Sequence, residues 1–175
     1  MKAWLVWLAA ALLSACAEFP SPSDARPGLG PPLPSFTAEG RISLRRDEQR
    51  DHVRFRWEHA PQRDVVLLMS PLGQGLAELT RDAAGARLLR PHQPVVAAES
   101  LAQLVQRVVG VPLPLEALAD WLRGSRPALS GTADGWQGAI LDTSIFRLSR
   151  VVRVLQARRE SEELKLIVDS WDAPE

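Results

Sequence analysis

The chain has 175 residues, with 21 basic and 21 acidic side chains and no net charge at neutral pH. Once a leader is set aside, that length suits one ordinary domain, because single domains cluster at roughly 100 to 200 residues. Balanced charge gives no support to a nucleic-acid partner, which would demand a basic face, and a single cysteine leaves no internal disulfide to form.

Lys2 is followed by an apolar run from Ala3 to Leu13 and then by the small residues Ser14 and Ala15 before Cys16. A charged start, a short apolar middle and small closing residues predict a signal peptide over residues 1–15. The apolar part is shorter than the roughly 18 to 20 residues that span a bilayer. Leu13-Ser14-Ala15-Cys16 resembles the lipobox of bacterial lipoproteins. That resemblance implies cleavage before Cys16 and a covalent diacylglyceryl and N-acyl lipid on its thiol, with no other cofactor. Ala17 after it implies sorting to the outer membrane; the alternative is an exported soluble protein with one free thiol. From Ala17 to Ser35 the chain carries six prolines with glycine and serine. Residues 16–35 are therefore expected to form a lipidated tether in extended conformations.

The ordered domain is expected over residues 36–175. His52 to His59 alternates polar and apolar side chains, which puts Val53, Phe55 and Trp57 on one face of a half-buried strand. Phe36 to Leu44 repeats the pattern more loosely, and Asp47 to Asp51 is a polar turn between the two. Further strands are predicted at Asp64–Ser70, Leu76–Thr80 and Ala86–Arg90, the last after an Ala84-Gly85 turn. The period then changes. Leu101, Leu104, Val105 and Val108 share one helical face, Ser100 and Gln103 suit a capping box, and Gly110 sits at the stop. A second helix starts at Pro114, carries Leu115, Leu118, Trp121 and Leu122 on one side, and ends before Gly124. β signals return at Ala139–Asp142, Phe146–Leu148, Val151–Ala157 and Leu164–Trp171. The fold class predicted is mainly β with helices (α+β): a strongly bent antiparallel sheet, partly open as a barrel, with helices over one mouth.

A catalytic constellation is missing. His52 and His59 fall on opposite faces of their strand, and His92 lies in the Pro91-His92-Gln93-Pro94 loop; all three read as surface histidines. Gly73-Gln74-Gly75 lacks the lysine and helix start of a phosphate loop, and no serine has a glycine elbow around it. No metal site and no enzyme are expected. One connection is odd for a loop. Ser70-Pro71-Leu72-Gly73-Gln74-Gly75 has the residues of a turn, yet Leu72 stands at its tip. Either Leu72 folds back into the core or it is exposed, and single exposed leucines are common.

These residues together resemble the LolB family. The match includes Gly40–Leu44, Arg54-Phe55-Arg56-Trp57, Leu67-Leu68-Met69-Ser70-Pro71-Leu72-Gly73 and Leu76–Leu79. It continues through Gly110-Val111-Pro112-Leu113-Pro114-Leu115 with Leu118, Trp121-Leu122 and Gly124, then Trp136 and Leu164–Trp171. The stretch from Gly138 to Glu163 departs from the family pattern. The resemblance implies an unclosed antiparallel β-barrel lidded by short helices, of LolA/LolB type, enclosing an apolar cavity for lipoprotein acyl chains. It implies a monomeric outer-membrane lipoprotein on the periplasmic face that takes cargo from the periplasmic carrier LolA and inserts it into the membrane's inner leaflet. Under that reading Val53, Phe55, Trp57, Leu118, Trp121 and Leu122 are cavity candidates, each of which could equally be plain core. Leu72, flanked by Pro71 and Gly73, matches the family's protruding leucine that touches the membrane and releases cargo. Two other classes stay open: a lipid-anchored binder of a small apolar ligand, and a structural lipoprotein of an envelope-assembly machine.

Overall fold

The computed structural model describes residues 28–110, 113–125, 130–133 and 135–172. The expected signal peptide, Cys16 and most of the tether lie outside them.

Among the described residues ten strands form one antiparallel sheet, in the order β6-β5-β4-β3-β2-β1-β10-β9-β8-β7. They are β1 Phe36–Arg46, β2 Gln49–Ala60, β3 Arg63–Met69, β4 Gly75–Asp82, β5 Gly85–Leu89, β6 Val96–Ala98, β7 Ser130–Ala133, β8 Trp136–Phe146, β9 Ser149–Arg159 and β10 Glu162–Asp172. The first and last strands are neighbours at the centre, and β6 and β7 are left as unpaired edges, so the barrel is unclosed. The connection between those two edges is helical: α1 Leu101–Val109 and α2 Leu115–Leu122. A chain that must travel from one edge of a curved sheet to the other crosses its concave side, and the apolar faces of the two helices are buried there.

Each helix carries its own start and stop signals. Ser100 Oγ accepts the Gln103 backbone N–H at 3.2 Å, and Gly110 closes α1 in the left-handed region at φ 82°, its N–H donated to the Gln106 carbonyl. This is the serine half of the expected capping box. Leu101, Leu104 and Val105 of α1 pack on Ala86 and Leu88 of β5. Pro114 precedes α2, which buries Ala117, Leu118, Trp121 and Leu122.

Two glycines permit close approach inside the sheet. A Cβ at Gly40, beside the register shift between β1 and β10, would lie 1.9 Å from the Ile167 carbonyl oxygen. At Gly138 a Cβ would meet the Trp121 ring at 2.0 to 2.6 Å. The indole of α2 therefore lies directly on the backbone of β8. Gly138→Ala is expected to lower stability by at least the ~1–3 kcal/mol of an overpacked core, read by urea denaturation, with near-UV dichroism reporting the displaced Trp121.

The structure corrects several expectations. The β1–β2 connection is only Asp47-Glu48, because β2 begins at Gln49 rather than after Asp51. Phe146–Leu148 is not a strand: Phe146 ends β8, and Arg147 and Leu148 form the β8–β9 turn at φ 46° and 65°. The short edge strands β6 and β7 were not foreseen. Gly28 to Ser35, expected as tether, lies against the domain. Leu29 and Leu33 pack on the main core, Gly30 N–H donates to the Arg150 carbonyl at 2.8 Å, and Leu33 N–H donates to the Arg123 carbonyl at 2.6 Å.

Candidate functional site

Alternation on the central strands decides which side chains meet the helices. On β1 the even positions Ile42, Leu44 and Arg46 face inward, on β2 the odd positions Asp51, Val53 and Trp57, and on β3 Val66 and Leu68. Together with Leu79, Leu164 and Leu166 they form the strand wall of a chamber of about 330 Å³. Leu101, Val105, Val108, Val109, Leu113, Leu115 and Leu118 roof it. Among the described residues, Arg46 and Asp51 are the charged ones on the wall. Arg46 Nη2 donates to Asp51 Oδ2 at 2.7 Å, and Nη1 donates to the Val109 carbonyl at 2.9 Å. This one side chain ties the end of α1 to the β1–β2 hairpin at the rim of the chamber.

The structure brings Val53, Trp57 and Leu118 of the predicted residues onto the chamber wall. Phe55, Trp121 and Leu122 lie on the same strand or helix but are packed solidly within the main core. Phe55 fills the room left by Gly40, and Trp121 covers Gly138.

Leu72 does not fold back. It is 90% exposed at the tip of the β3–β4 turn, where Gly73 adopts φ 86°. Gly73 N–H donates to the Ser70 carbonyl at 2.9 Å, and Ser70 N–H donates to the Gln74 carbonyl at 2.8 Å. Antiparallel order places the β3–β4 turn at the same end of the sheet as the β1–β2 turn. Leu72 therefore stands at the end where the Arg46 rim lies.

A buried polar group behind Trp57 escaped the reading of the sequence. Asp64 and His59, paired across the β2–β3 hairpin, are 3% and 8% exposed; His59 is thus no surface histidine. Asp64 Oδ1 accepts the Trp57 indole N–H at 2.9 Å and lies 2.7 Å from His59 Nδ1. Arg81 Nε donates to Oδ2 at 2.6 Å. Burial by itself would raise the Asp64 pKa, but the hydrogen bonds from His59, Trp57 and Arg81 outweigh it and hold the carboxyl below its ordinary value. As an ionised carboxylate only accepts, His59 Nδ1 carries the hydrogen. The signal that could have revealed the group was the spacing of His59 and Asp64 around a tight Pro61-Gln62 turn.

The described residues thus form an unclosed antiparallel half-barrel with a helical cover over a chamber lined mainly by apolar side chains. The same architecture is found in the crystal structure of a LolA superfamily protein from Nitrosomonas europaea. It aligns with a TM-score of 0.54 at 8% identity over 81% of this chain and 86% of that one. Sequence is more specific. The profile of the family described as Outer membrane lipoprotein LolB matches residues 34–171, and the chain belongs to the LolB family. Relatives named Outer-membrane lipoprotein LolB include one from Azoarcus sp., 32% identical over 96% of this chain and 93% of its own length. Another, from Thiobacillus denitrificans, is 31% identical over 92% of each chain.

Proposed function

We propose that this chain is an outer-membrane lipoprotein receptor, anchored on the periplasmic face by lipid on Cys16. It accepts lipoproteins from the carrier LolA and passes their acyl chains to the inner leaflet of the outer membrane. The observation that carries this reading is a largely apolar chamber whose Arg46 rim lies at the same end of the sheet as the protruding turn leucine Leu72. Family membership supports it.

Physical chemistry says why such a device is needed. Three long acyl chains expose on the order of 40 methylene groups, each costing about 0.8 kcal/mol in water. Free diffusion is closed to such a molecule, and a dry cover must accompany it at every aqueous stage. The receptor then works by graded affinity: it holds acyl chains better than the carrier does and less well than the bilayer. The lipid on Cys16 keeps the receptor at the membrane, and Leu72 supplies the contact that starts release.

The chamber's size bears on how loading occurs. With each methylene taken as about the ~30 Å³ share of a water molecule, a chamber of about 330 Å³ encloses only part of one chain. Full loading requires α1 and α2 to lift from the sheet, and the hydrogen bonds of Arg46 to the Val109 carbonyl and of Arg107 to the Ala97 carbonyl are polar contacts that such a movement would strain or break. The same volume favours a second reading, a lipid-anchored binder of one small apolar ligand.

Transfer separates the two. Carrier loaded with labelled lipoprotein is mixed with the Cys16→Ala protein, and the label is followed by pull-down. Movement of label to the receptor in the absence of any membrane is the expected result. Label that stays on the carrier, while a small hydrophobe copurifies with the Cys16→Ala protein, would establish the second reading instead.

A further inference from the structure

Beside the chamber lies a second space of about 420 Å³, open to solvent, whose wall includes His59, Asp64, Arg81, Asp120 and Arg123. Trp57, Leu101 and Leu115 line both spaces and so form the partition between them. The two helical leucines belong to the cover, which must move to load cargo, whereas Trp57 sits on the central sheet. Trp57 as a whole is 3% exposed. One edge contact, with Phe36 at 6.1 Å between centroids, supports the indole, and its N–H is fixed on Asp64 at 2.9 Å.

We infer that Trp57 is the floor of the acyl chamber and sets the length of hydrocarbon it accepts, with Asp64 as the positioning residue that locks the indole in place. The inference rests on the acyl-chain reading of the chamber. An alkyl chain gains from each methylene it places against apolar wall, but past Trp57 it would meet ionised groups already bonded to one another. Asp64 is held by three side chains, and Arg123 Nη2 donates to Asp120 at 2.8 Å. Covering those groups with hydrocarbon strips their water without offering a polar partner. The gain therefore stops at the indole. Asp64, bonded also to His59 and Arg81, is thereby held in place to fix the Trp57 indole.

The test uses the full chain carrying Cys16→Ala. A homologous series of saturated fatty acids, from octanoate to stearate, displaces the fluorescent fatty acid cis-parinarate. For the wild-type interior, affinity should rise about fourfold per methylene up to a break and then level off. Trp57→Ala should move the break to acids several carbons longer. Asp64→Val, which releases the indole, should move it in the same direction, whereas Asp64→Asn, which retains an oxygen to accept the indole N–H, should keep the wild-type break. A purely structural role for Asp64 predicts instead that Asn and Val variants lose affinity alike at every length. Should Trp57→Ala fail to fold, Trp57→Phe keeps an aromatic ring but loses the hydrogen bond and the indole's second ring, and should move the break to longer acids by a smaller step. An unchanged break in every folded Trp57 variant would overturn the inference while leaving the chamber an acyl site. Failure of every acid to displace the probe from the wild-type interior is a different result, and would remove the acyl reading along with it.

Discussion

Leu72→Asp should leave the fold and cargo uptake unchanged and lower delivery of lipoprotein to vesicles by at least tenfold. Stability is spared because the side chain is 90% exposed and nothing lies within 4 Å of a Cβ placed on neighbouring Gly73; surface changes of this kind stay within about 0.5 kcal/mol. Delivery is lost because burying a leucine in a bilayer yields about 1.5–3 kcal/mol, whereas an aspartate would have to be dehydrated. That energy suits a passing contact and cannot anchor a protein, the task proposed for lipid on Cys16. Leu148 supplies an internal control. It is 99% exposed at the tip of the β8–β9 turn, and β9 runs parallel to β1, so this tip lies at the end of the sheet away from the chamber rim. Leu148→Asp should deliver normally. Vesicle delivery assayed with label-loaded receptor reads both variants. Equal loss in the two would mean that general surface apolarity, rather than position beside the rim, governs release, and normal delivery by Leu72→Asp would take that residue out of the mechanism.

The contrast between those two leucines also marks what a sequence can disclose. Around Leu72 the proline and glycines announce a turn, so an apolar residue at its tip stands out. Around Leu148 there is no glycine, asparagine or aspartate, and Phe146-Arg147-Leu148 reads as more strand; only the structure reveals two non-glycine residues at positive φ. Both helices and most of the long strands were legible because alternation and capping residues are local properties, whereas of β8, Trp136–Phe146, only Ala139–Asp142 was. β6 and β7 were not, since three residues, Val96–Ala98, and four small or polar ones, Ser130–Ala133, carry no period of their own. Their pairing is decided by the neighbouring strand. Within the site, alternation identified the inward face of β2 but could not say how deep each position lies. Phe55 and Trp57 share that face, yet Gly40 opposite Phe55 draws its ring into the packed core, while Trp57 meets the chamber. Depth depends on what the partner strand leaves empty, and a partner strand has no mark in the local pattern.

Leu68→Glu should abolish uptake from loaded carrier, while Leu67→Glu on the same strand should not. Leu68 faces the chamber and Leu67 the opposite surface of the sheet, so the pair changes only the side on which one carboxylate is placed. Leu68 is half-buried rather than sealed, and in the empty receptor the glutamate can keep its water. A modest fall in thermal stability is therefore expected, not unfolding. An acyl chain entering the chamber would cover the carboxylate and strip that water, at a cost of several kcal/mol for a charge left without a partner. Each 1.4 kcal/mol is about tenfold in affinity, so uptake measured by pull-down of labelled cargo should fall by more than about a hundredfold. The size of that effect separates a chamber that holds hydrocarbon from one that merely exists between sheet and helices. A Leu68→Glu receptor that takes cargo as readily as the wild type would place the acyl chains somewhere other than the space beneath α1 and α2.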